Sequence, residues 1–68
     1  MAKTGDIVYV DRSVFVASPL RSGVLVKCEV LEDSGPSQTY LTKADGSSGS
    51  PMYVFNKELR EVSNATHQ

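Results

Sequence analysis

Residues 52–62, Met-Tyr-Val-Phe-Asn-Lys-Glu-Leu-Arg-Glu-Val, set one polar turn between two strand-like pieces. Met-Tyr-Val-Phe is dense in β-formers, and so is the closing Arg-Glu-Val. Asn-Lys-Glu-Leu is too short for a useful helix and too polar to continue a buried strand. A chain that breaks a strand for one turn so close to its end is handing over from one pairing to another. A single 3₁₀ turn does this in minimum length. Asn56 is expected to cap that turn with its side chain, Leu59 to plug the end of the enclosed core, and Val62 to point inward.

The rest of the chain supplies partners for these strands. Residues 6–10, Asp-Ile-Val-Tyr-Val, follow Gly5 and read as a first strand. Residues 13–17 form a second apolar run, either a continuation past a bulge or the start of an irregular excursion. Residues 18–23 are a loop by composition. In residues 24–32, Val24, Val26, Cys28 and Val30 share one parity, opposite Lys27 and Glu29. That alternation marks a strand with one buried face and puts Cys28 in the core. Residues 33–38 are a turn cluster and residues 39–44 a further strand. Asp45-Gly46 is a hairpin-type turn signal, with a Ser/Gly-rich loop after it. Short strands between Gly, Pro and Ser turns, with no helix of ordinary length, predict an all-β chain: one five-stranded, partly open barrel over residues 1–62. Residues 63–68 read as a disordered polar tail.

Composition narrows the function classes. Sixty-eight residues make one domain near the lower limit for independent folding. One Cys and one His leave no intrachain disulfide and no four-ligand metal site, so no metal or cofactor is expected. Seven basic residues against eight acidic ones, interspersed, form no basic stripe and speak against nucleic acid without eliminating it. The absence of a long apolar run argues for no membrane contact and for a cytoplasmic location. Asn64-Ala65-Thr66 matches a glycosylation acceptor, which is read as chance in such a chain.

The order of these pieces resembles the SH3-like small β-barrel superfamily. Its Tudor-like branch is similar in the opening Gly5-Asp6-x-Val8, a central strand ending Val30-Leu31-Glu32, the Asp45-Gly46 turn and the terminal Glu58-Leu59-Arg60-Glu61-Val62. The resemblance implies a partly open five-stranded barrel with a one-turn 3₁₀ helix before the last strand. Tudor-type readers hold methyl-lysine in an aromatic cage. Here Leu41 and Lys43 stand where an aromatic would precede the Asp-Gly turn, and a lysine repels a cation. The resemblance therefore implies the architecture without the cage. The absence of Trp speaks against polyproline binding.

No nucleophile–base pair is visible, since the one His lies next to the C-terminus, so a non-enzymatic chain is expected. Apolar residues on both parities, including Leu25, Leu31, Tyr53 and Phe55, leave a surplus that must be covered. Either the loop residues Val14, Phe15 and Val16 fold over it, or a partner does. The leading expectation is an accessory, regulatory or inhibitory interaction module that docks on a protein or on its own copy. Its contact residues are Tyr9, Phe15, Tyr53 and Phe55, rimmed by Arg12, Arg21 and Lys57. The alternative is nucleic-acid binding through Lys27, Lys43, Lys57 and Arg60. A third reading is an oligomeric pore enzyme similar to plasmid-type dihydrofolate reductases.

Overall fold

The computed structural model describes residues 2–47 and 49–63, with side chains described as far as Arg60. Ser63, expected in the polar tail, is instead the last residue of the closing strand. The rest of that tail, including Asn64 and His67, lies outside the described residues, and so does the side chain of Val62. Five strands form one antiparallel sheet: β1 Ile7–Asp11, β2 Leu25–Val30, β3 Gln38–Lys43, β4 Met52–Phe55 and β5 Leu59–Ser63. Two 3₁₀ turns, Arg12–Val14 and Asn56–Glu58, are the only helical pieces among the described residues. The strand order is β4-β3-β2-β1-β5, so β4 and β5 are the two edges.

The sheet curls into a half-barrel around one apolar cluster. Val8 and Val10 of β1, Val26, Cys28 and Val30 of β2, Leu41 of β3 and Val54 of β4 all face inward and are buried, together with Ala2. Val14, Phe15, Met52 and Leu59 pack against this cluster. Each of these buried aliphatic side chains contributes about 1.5–3 kcal/mol relative to exposure. Cys28 behaves as a small core hydrophobe, and burial pushes its thiol up to about 11. It is a protonated packing group, not a nucleophile.

Val24 departs from the expected parity pattern. It stands before β2 and is 55% exposed. The Arg12 N–H donates to its carbonyl at 2.8 Å, so the backbone continues the pairing while the side chain is left at the rim. The run 13–17 is the irregular excursion, not a strand. Its Val14 and Phe15 pack on the inner cluster.

Asn56 also acts differently from a cap. Phe55 occupies the N-cap position of the turn, with no side-chain cap bond. The Asn56 amide instead donates from Nδ2 to Gly35 O at 2.9 Å and accepts from Thr39 Oγ1 at 2.6 Å. Thr39 is buried, and its hydroxyl also meets Ser34 Oγ at 2.5 Å. A buried hydroxyl needs partners. Asn56 supplies one and so ties the handover turn to β3 and to the β2–β3 turn.

Candidate functional site

Two surfaces hold the candidate residues, one at the open end of the half-barrel and one on its back. The open end is a cleft of about 360 Å³ between the β1–β2 loop and the β3–β4 loop. From the first loop it takes Arg12, Phe15 and Val24, with Leu25 at the start of β2; from the second side it takes Lys43 and Asp45.

Asp11 builds the first wall. Its Oδ1 accepts from Ser13 N–H at 2.9 Å and from both the N–H and the hydroxyl of Ser22 at 3.0 Å. Its Oδ2 accepts from Gly23 N–H at 3.1 Å. Gly23 has φ +79°, a conformation that favours glycine, and it sits where the chain turns back into β2. One carboxylate thus clasps both ends of the excursion, and hydrogen bonds from Ser22 and Ser13, their N–H groups foremost, hold its pKa far below the usual carboxylate range. Ala17 takes the left-handed conformation at φ +54°, and the Ser18 N–H beside it donates to Ser13 O at 3.0 Å. Arg21 forms a bidentate ion pair with Glu58, which ties the loop to the 3₁₀ turn before β5.

The second wall is simpler. Asp45 accepts from the hydroxyl and N–H of Ser47, which lower its pKa in that order. Lys43 lies on the inward parity of β3, opposite Cys28. Its Nζ stands 5.4 Å from the centroid of the Phe15 ring. Among the described residues Phe15 is the only aromatic lining the cleft, and its neighbour there is the chain's own Lys43.

The back of the sheet carries the other aromatics. Tyr40 and Tyr53 are cross-strand partners with ring centroids 4.8 Å apart. Tyr53 is 58% and Phe55 53% exposed, and Lys57 Nζ lies 5.8 Å from the Phe55 centroid. The backbone of β4 adds to this. Asn56 N–H donates to Ser37 O, which sets the phase of the β3–β4 ladder. Hydrogen-bonded pairs alternate in an antiparallel ladder. Met52 and Val54 therefore bond to β3, while Tyr53 and Phe55 turn their N–H and C=O groups outward along an edge that no other described strand covers.

The seven predicted contact residues therefore do not form one surface. Phe15 and Arg12 belong to the cleft; Tyr53, Phe55 and Lys57 belong to the β4 edge. Tyr9 sits on the back of β1, between its cross-strand partners Lys27 and Arg60. Arg21 is committed to Glu58 and is no free rim charge. Sequence reasoning missed Asp11, Asp45 and Tyr40 as site-building residues. Asp11-x-Ser13 and Asp45-x-Ser47 each carry the local Asx-turn signal, but the reach from Asp11 to Ser22 has none. Among the described residues no group of three His, Cys, Asp or Glu side chains could hold a metal, and no helix is long and apolar enough to cross a membrane. Comparisons with protein-family models, curated proteins and solved structures found no match.

Proposed function

We propose that this chain is a non-enzymatic interaction module of SH3-like build, which docks an extended segment of a partner protein along β4. The observation that carries this reading is the coincidence, on one edge strand, of outward-facing backbone groups with the exposed rings of Tyr53 and Phe55. Strand addition uses both: main-chain bonds supply affinity and alternate side chains supply specificity. Edge strands that must stay free are usually protected by charge, Pro or a bulge. Residues 52–55 carry no charge, and Pro51 stands before them. Tyr53 backed by Tyr40 is a rigid aromatic anchor of the kind that dominates interface energetics. Lys57 at the strand's end favours an acidic residue on the incoming segment.

Photo-crosslinking residues placed at 53 and 55, with position 27 as control, test this in source cells. One protein joined from 53 and 55 but not from 27 supports the reading. In that complex Tyr53→Ala weakens binding at least about tenfold, with the domain still folded. Adducts with a second copy of this chain replace partner docking by self-association. Equal labelling from position 27, or none from 53 and 55, removes the β4 surface from consideration.

The cross-strand row Lys27–Tyr9–Arg60 favours a second reading, single-stranded nucleic acid stacked on Tyr9 between two cations. Two neutralised phosphates give a log–log salt slope of about −1.4 for a single strand. Fluorescence anisotropy of a labelled oligonucleotide across a salt series measures it, and a flat response excludes the row as a phosphate contact.

A further inference from the structure

The cleft selects a ligand by its composition. Phe15, Val24 and Leu25 line it with apolar surface, while Arg12, Lys43 and Asp45 supply its charge. Among the described residues neither Arg12 nor Lys43 is in an ion pair: the only two pairs are Lys3–Asp33 and Arg21–Glu58. Asp45 lies beside Lys43 but bonds to Ser47. Two cations against one carboxylate leave a single positive charge over an apolar lining. Lys43 is partly buried, where a charge attracts its opposite more strongly than in bulk water. A cleft of about 360 Å³ is of the size that takes small molecules.

We propose that this cleft binds a small monocarboxylate with an apolar body, its ring or chain against Phe15, Val24 and Leu25 and its carboxylate held by Arg12 and Lys43. The charge balance argues for each part of that description. A cationic ligand meets two like charges, a neutral one leaves both cations unpaired, and a dicarboxylate brings its second charge toward Asp45. The site lies at the open end of the half-barrel, away from the outward face of β4, so it is independent of partner docking there.

Titration of the isotope-labelled chain with phenylbutyrate, followed by amide chemical shifts, tests the proposal. Phenylbutyramide and phenylbutylamine serve as neutral and cationic controls on the same skeleton. Saturable shifts are expected around Arg12, Phe15, Leu25 and Lys43, with a Kd of about 1 mM or tighter for a ligand of this size. The amide binds roughly tenfold more weakly and the amine not at all, since tenfold is the ordinary worth of one good polar contact. Arg12→Gln alters an exposed side chain and weakens phenylbutyrate binding by a similar factor, as does Lys43→Gln, whereas Lys27→Gln on the back of the sheet leaves it unchanged. Absence of saturable shifts, equal binding of acid and amide, or shifts centred on Tyr9 and Arg60 overturns the proposal. The amide spectrum of each variant shows directly whether it is folded, and Arg12→Gln decides the matter if Lys43→Gln is not.

Discussion

The β1–β2 loop and the β3–β4 loop face each other across the cleft and are held in opposite ways. The first spans thirteen positions between its strands, residues 12–24, and is clasped by Asp11, closed by Ser18 on Ser13 and pinned through Arg21 to Glu58. The second, residues 44–51, is held among the described residues by the Asp45–Ser47 turn and by the bond from Ala44 N–H to Lys27 O. The longer loop is therefore the better-anchored wall. Loop length costs little entropy per added residue, whereas a carboxylate that accepts four hydrogen bonds opposes opening directly. One wall presents Arg12 and Phe15 in a fixed place, and the other brings Lys43 to them with local contacts only.

The largest expected effect separates the two clasps. Asp11→Ala leaves the Ser13, Ser22 and Gly23 N–H groups without their acceptor and is expected to lower Tm by roughly 10 °C. Asp45→Ala removes only a local turn and lowers it by about 3 °C or less. Equal losses in thermal melts would erase the contrast between the walls.

Acid sharpens the same difference. Asp11 has a folded pKa depressed below its ordinary value of 3.8. Its contribution to stability is therefore fully present above that value and is lost as pH falls through it toward the folded pKa. Asp33, Asp45 and Glu58 are lowered as well and act in the same direction. Urea midpoints should fall on acidification below about pH 4, and Asp11→Asn should flatten that fall more than Asp45→Asn does.

Smaller effects test the pins. Arg21→Ala removes the bidentate partner of Glu58, whose side chain is largely covered, and should lower Tm by about 3 °C. Gly49→Ala places a Cβ 2.8 Å from Lys43 Cε, the far end of a flexible side chain. It should leave Tm within about 2 °C while shifting the Phe15 ring resonances as Lys43 is displaced. Ala17→Gly relieves a left-handed alanine and should raise stability by about 0.5 kcal/mol. A loss there would mean that the bend is held by contacts of the Ala17 side chain.

Much of the fold was legible because its signals are local. The alternation at Val26, Cys28 and Val30 identified β2 and its inward face, and residues 52–55 and the turn after them fall where the pattern placed them. Val24 misled because alternation says which way a side chain points, not where the sheet that covers it ends. Asn56 misled because its position invited a local cap, while Thr39 and Gly35, seventeen and twenty-one residues away, were the partners that needed it. The candidate site was less legible. Tyr53 and Phe55 were read as surface residues and are exposed, but Phe15 and Arg12 were grouped with them and belong to another face.

What the amino-acid order determined by itself was the element list: five short strands, one polar handover turn, a buried thiol and a surplus of apolar side chains. These follow from propensity and period two, which act over a few residues. Only the tertiary structure decided which residues meet. It brought Arg12, Phe15 and Lys43 to one cleft, set Tyr40 behind Tyr53 on an open edge and made Asp11 the clasp of a loop whose far end, at Gly23, lies twelve residues later. Contacts of that kind depend on strand register and sheet curl, which are fixed by the packing of the whole core.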